Sequence, residues 1–163
     1  MWLGLGLGAV VALSGVLASR IPGGDGTLGA DVRVFSAPSA GVSLSPSGLV
    51  LTGPQLRPGK GDRSAGLQVS NRLAGKVLIR VRAATSTGGL DGLLWIQIED
   101  GGGVMFRGPV GQLRSWTQTA ALFGPGEGRS LRVTTWLPGT VRAGYEGVTT
   151  DVTLEWKTEP AGS

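Results

Sequence analysis

Residues 56–83 read LRPGKGDRSAGLQVSNRLAGKVLIRVRA, and the spacing of their apolar side chains decides the fold. Pro58-Gly59 marks a turn, because proline presets φ and glycine accepts positive φ. Ala65, Leu67 and Val69 then alternate with Gly66, Gln68 and Ser70, the period of two that a half-buried strand requires. Asn71 to Lys76 is rich in turn formers. Beyond it Val77, Ile79, Val81 and Ala83 alternate with Leu78, Arg80 and Arg82, so two arginines keep the outer face wet. Turn, strand, turn, strand predicts a β-hairpin of an antiparallel sheet.

The same pattern recurs on both sides of this stretch. Toward the carboxyl end, Leu93 to Ile98 is apolar on both faces and predicts a central strand. Asp100 to Gly103 (DGGG) predicts a hairpin turn, with Val104 to Phe106 continuing from it. Val110 to Trp116 has room for one helical turn, and Thr119 to Phe123 is a weak strand. After the Pro125-Gly126 turn, Leu131, Val133, Thr135 and Leu137 take one face, with Arg132, Thr134 and Trp136 on the other. Pro138 ends that run. Val148, Thr150, Val152, Leu154 and Trp156 then oppose Thr149, Asp151, Thr153 and Glu155 in the cleanest alternation of the chain. Toward the amino end, Val42, Leu44, Leu49 and Leu51 bracket a Ser-Pro-Ser-Gly interruption, which predicts a bent or bulged strand. Short strands separated by frequent turns predict an all-β domain over residues 41–163. Its form is a two-sheet antiparallel β-sandwich, jelly-roll or Ig-like.

The first forty residues have a different character. Trp2 to Ala18 is uncharged and apolar, shorter than the ~20 residues of a usual membrane span. Val16-Leu17-Ala18 suits cleavage after Ala18. A cleaved signal peptide and a retained membrane anchor are both open for residues 1–18. Either one places the remainder outside the cytoplasmic membrane, secreted or on the cell surface. Residues 19–40 form a Gly/Pro/Ser-rich extension, interrupted by Asp31, Val32, Arg33, Val34 and Phe35 in strand alternation. That run is either the first strand of the domain or a strand that pairs elsewhere.

Composition removes several functions. The chain has no His, and with it go the commonest metal ligand and the commonest general base. It also has no Cys, so disulfides and Cys-His pairs are excluded. Its carboxylates are scattered, Asp100 lacks the oxygen series of a calcium loop, and Gly101 to Gly103 lacks the Lys-Ser/Thr of a phosphate loop. The expectation is no catalytic residue, no metal, no cofactor and no enzyme activity. The net charge of +4 is spread along the chain without a basic run, which argues against a nucleic-acid partner. Among the tryptophans, Trp156 predicts core, and Trp116, between Ser115 and Thr117, is the better candidate for an exposed sugar-stacking ring.

Several segments, taken in order, resemble the TasA/camelysin family of secreted fibre proteins. These are the apolar leader; Leu56 to Gly59 with its strand ending in Val69-Ser70-Asn71; and Leu93 to Ile98. Phe106 to Leu113 and Pro125-Gly126-Glu127 leading into Leu131 to Pro138 complete the set. The likeness covers roughly Ser43 to Trp156. It departs just after the leader, where Ser19 to Gly26 lacks the family's small-residue and aromatic stretch. The metallopeptidase label of some members finds no support in a chain without His. The resemblance implies a jelly-roll-like sandwich that is exported and polymerises head-to-tail with copies of itself by lending an N-terminal strand. Asp31, Val32, Arg33, Val34 and Phe35 are the donor-strand candidate. Other matrix or surface proteins are further partners, and a membrane is met only through an uncleaved leader. The competing expectation is a monomeric, membrane-anchored Ig-like binding or adhesion module.

Overall fold

Alternation along the strands sends every second side chain into one shared interior, and ten strands close around it. The computed structural model describes residues 28–162; the leader 1–18 and the first part of the extension, 19–27, lie outside the described residues. The strands are β1 (Ala30–Ala37), β2 (Val42–Ser45), β3 (Gly48–Leu56), β4 (Arg63–Asn71) and β5 (Val77–Thr87), then β6 (Trp95–Asp100), β7 (Gly103–Pro109), β8 (Ala121–Phe123), β9 (Gly128–Trp136) and β10 (Thr149–Pro160). A front sheet has the order β3-β1-β10-β5-β8 and a back sheet the order β2-β4-β9-β6-β7. The fold is a β-sandwich. A single 3-10 turn, Val110–Arg114, occupies the stretch where one helical turn is expected.

Val32, Val34, Ile79, Val81, Leu154 and Trp156 from the front sheet meet Leu67, Val69, Ile96, Ile98, Leu131 and Val133 from the back sheet in one buried core. Trp156, 1% exposed, is the largest of these side chains. Its indole Nε1 donates to Ser36 Oγ at 2.9 Å, which satisfies both buried groups and joins β10 to β1.

The predicted hairpin over residues 56–83 does not form. Both of its strands exist, but β4 pairs with β2 and β9 in the back sheet, while β5 pairs with β10 and β8 in the front sheet. Residues 72–76 therefore carry the chain across the sandwich. Asn71 organises that crossing from a fully buried position: its Nδ2 donates to Gly75 O and Gly124 O, and its Oδ1 accepts from Leu73 N, each at 2.8 Å. The Ser-Pro-Ser-Gly stretch is a crossing too, since β2 lies in the back sheet and β3 in the front one, so no single bent strand runs through it. Among the described strands only β6 and β7, joined at Asp100–Gly103, form a hairpin between sequence neighbours. Alternation fixes which side chains point inward. It does not say which strand lies alongside.

Two further expectations are corrected at the amino end. The sandwich begins at β1, ahead of residue 41, because Ala30 to Ala37 is an inner strand of the front sheet. The ladder is also not purely antiparallel: β1 runs parallel to β10, with Val32 opposite Thr150 and Val34 opposite Val152.

Candidate functional site

Asp31 to Phe35 is held on both edges within its own chain. One edge faces β10 and the other faces β3, where Val34 is opposite Leu51 and Phe35 opposite Leu49. Val32 and Val34 are buried in the core, while Arg33 is exposed and Phe35 half-buried on the outer side. The facing of these side chains is the one alternation implies. Their expected freedom is not found, because a strand hydrogen-bonded on both sides has no ladder groups left to lend. The Gly/Pro/Ser-rich segment that follows it looks like a linker in sequence, yet residues 38–41 serve as the exit of an inner strand. The Asp31 carboxylate further accepts from Gln55 N at 2.9 Å, fastening the end of β3.

The outer face of the front sheet is a lattice of ion pairs. Arg33 binds Asp151 bidentately, both N–O distances being 2.7 Å. One strand over, Glu155 lies opposite Arg82 and accepts from it at 2.8 Å. Glu159 accepts from Arg80 at 3.0 Å and from Lys157 at 2.5 Å. The ammonium of Lys157, followed by the Arg80 guanidinium, holds the Glu159 carboxyl below the usual carboxylate range. Arg80 also donates to the carbonyls of Thr117 and Gln118, pinning the loop after the 3-10 turn onto β5. That loop lays Trp116 between Arg82 and Lys157, with the cations 4.6 and 4.9 Å from its ring centroid. Trp116, the ring expected to be exposed, is thus half-buried with two cations against it.

The back sheet's outer face is built differently. Leu94, Ile96 and Ile98 point inward, so Trp95, Gln97 and Glu99 point out; on β9, Val133 and Thr135 point inward and Arg132, Thr134 and Trp136 point out. The register sets Trp95 opposite Trp136, Gln97 opposite Thr134 and Glu99 opposite Arg132. The two indoles are 5.8 Å apart between centroids and tilted by 47°. Arg107, on β7, stands 5.8 Å over Trp136. Ser64 on β4 shares a 2.8 Å hydrogen bond with the Thr134 hydroxyl. Next to that row, Gly66 leaves a gap beside Arg132, and the surface sinks into a hollow of about 500 Å³ bordered by Glu99, Asp100, Ser130 and Arg132. Asp100 at its border is paired with Arg129 at 3.1 Å, which also binds Glu127 at 2.6 Å and lies over the Phe123 ring at the sandwich edge. The Glu127 carboxyl is lowered first by the backbone N–H of Gly124 and then by Arg129.

Trp95 and Trp136 are the residues that sequence reading missed. Trp95 was hidden in a run with apolar residues on both faces, where it reads as core. Trp136 was placed on the outer face of its strand, but with no register to bring it beside a second ring.

No family model matches the chain, and no curated protein matches it. Solved structures do match. One is the N-terminal domain of PorA, at 13% identity and a TM-score of 0.30, covering 78% of this chain and 87% of that one. A likeness that remote does not bear on function.

Proposed function

We propose that the chain is an exported, non-catalytic β-sandwich that works at the cell surface as a monomeric binding module. One observation carries this reading: β1 completes the front sheet of its own subunit, so among the described residues Asp31 to Phe35 is not left over as a donor strand. The apolar leader of residues 1–18 supplies export, and a membrane tether where it is retained. The carboxylates support a binding role, because Asp91, Glu127 and Glu159 each sit against a cation of the same molecule instead of against a second acid. Size-exclusion chromatography with light scattering and negative-stain microscopy, on the full chain in mild detergent, tests the proposal. One species of monomer mass is expected. Filaments or a mass ladder would overturn it.

A second reading, assembly into fibres by strand exchange, is favoured by the position of β1. It is the first described strand, one of its two neighbours, β10, is remote from it in sequence, and only residues 38–41 join it to β2. An identical strand from a neighbour fits the same slot, and head-to-tail exchange of this kind propagates as an open filament. The same experiment separates the two readings.

A further inference from the structure

We infer that the outer face of the back sheet binds an uncharged polysaccharide, with the Trp95–Trp136 pair as its stacking platform. The inference rests on the binding-module reading and names the ligand class. Chemistry and charge carry it together. A pyranose ring has faces of C–H groups, which pack on indole, and a rim of hydroxyls, which need hydrogen-bonding partners in its plane. The sheet supplies both in one line. From Trp136 to Arg132 along β9 is about 13 Å at ~3.3 Å per residue, the length of a short oligosaccharide. Over that distance an aromatic pair gives way to an amide and two hydroxyls. Gln97 donates one N–H to Glu99 at 2.6 Å and keeps its other N–H and its oxygen, and Thr134 and Ser64 share one hydrogen bond and keep acceptor capacity. The Glu99–Arg132 pair follows at the rim of the hollow. The missing side chain at Gly66 keeps that end open, since even an added Cβ there would touch nothing nearer than Ser130 Oγ at 3.8 Å.

Charge decides the class. Arg129, beside this face, is paired with Asp100 and Glu127 at 3.1 and 2.6 Å, Arg132 stands 3.9 Å from Glu99, and Arg107 lies over the Trp136 ring, so the cations do not form a track. A nucleic acid or an acidic glycan would require an unpaired cationic track. A protein partner would require a contiguous apolar patch at the centre of its footprint. The largest exposed aliphatic side chains near this sheet, Val104 and Leu122, lie at the β7 and β8 edges, away from the indoles. Neutral hydroxyl chemistry fits what remains.

Affinity electrophoresis of the full chain in mild detergent, through gels containing mixed-linkage β-glucan, glucomannan, xylan or dextran, provides the test. At least one polymer is expected to retard the native chain. Trp95→Ala and Trp136→Ala should each weaken that retardation about tenfold, since an aromatic contact of this type is worth on the order of 1 kcal/mol or more. Trp116→Ala on the front sheet should leave it unchanged. Gln97→Ala, an outward substitution without loss of an aromatic pair, gives a second reading should a tryptophan variant fail to fold. Retardation by none of the four polymers overturns the inference, and so does equal binding by the Trp95, Trp136 and Gln97 variants. Binding confined to heparin or single-stranded DNA, lost in high salt, also overturns it. The monomer reading is judged separately by mass: a monodisperse chain that binds no glycan refutes only this inference, and a filament that binds glycan refutes only the monomer.

Discussion

The two outer faces of this sandwich have the same backbone geometry and opposite chemistry. On the front sheet, Arg33, Arg80, Arg82 and Lys157 each meet a carboxylate of a neighbouring position, and the half-buried Trp116 is itself covered by two cations. On the back sheet, two indoles lie side by side among amides and hydroxyls. The difference teaches that aromatic content alone does not mark a binding face. What separates the two is whether the strong donors and acceptors around the ring have already been used. The front face has spent its charges on itself, whereas Gln97, Thr134 and Ser64 on the back face each hold one bond to a neighbour and keep further donor or acceptor capacity.

The comparison can be broken most severely through the core that both faces share. Trp156→Ala should destabilise the fold by roughly 3–5 kcal/mol, the range for emptying a large buried site, read from urea midpoints. A loss below about 1 kcal/mol would place Trp156 at the surface and reverse the facing of β10. Acid should act next. Asp91, held low chiefly by the Ser86 hydroxyl and then Arg114, Glu127 and Glu159 all have folded-state values below their ordinary range. A carboxyl of this kind contributes stability above its unfolded value and loses it as pH falls through the folded one. The urea midpoint should therefore drop from pH 5 toward pH 3. About 1 M salt, where screening reaches ~3 Å, should reduce the drop, and Glu159→Gln should flatten it. A midpoint that does not move with pH would mean that the ion pairs of Asp91, Glu127 and Glu159 contribute nothing.

Smaller effects sharpen the contrast. Trp95→Ala and Trp136→Ala should each cost about 0.5–1.5 kcal/mol, the worth of an aromatic pair beyond its burial. A cost as large as that of Trp156→Ala would make the back-face indoles structural. Thr135 is fully buried on β9, and its hydroxyl has no hydrogen-bond partner among the described residues. Replacing that orphaned group with a methyl should raise stability by about 1 kcal/mol, so Thr135→Val is expected to unfold at higher denaturant. An unchanged or lower midpoint would mean that the hydroxyl is satisfied.

Facing was legible in the sequence and partnership was not. The inward sets on β4, β5, β9 and β10 fall where alternation puts them, down to Thr150 and Trp156. Local spacing records the pleat, and the pleat is a property of one strand. Pairing depends on strands far apart in the chain, which is why residues 56–83 gave two correct strands and the wrong hairpin. The same blindness hid the aromatic platform, since Trp95 and Trp136 meet only through the β6–β9 register. It also left Asp31 to Phe35 open between a first strand of the domain and a strand that pairs elsewhere, because its parallel partner begins more than a hundred residues later.

That last pairing has a consequence for the life of the molecule before it is folded. A chain leaves the ribosome, or crosses a membrane, amino end first, and its early segments are available before its late ones. β1 emerges before every other described strand and β10 after them, yet β10 forms one side of the slot that β1 occupies. Until β10 arrives, β1 has β3 on one edge and nothing on the other. Closure of the front sheet is therefore a completion signal: only a full-length chain can retire its first strand. Every copy passes through an interval in which one edge of that strand is unpaired.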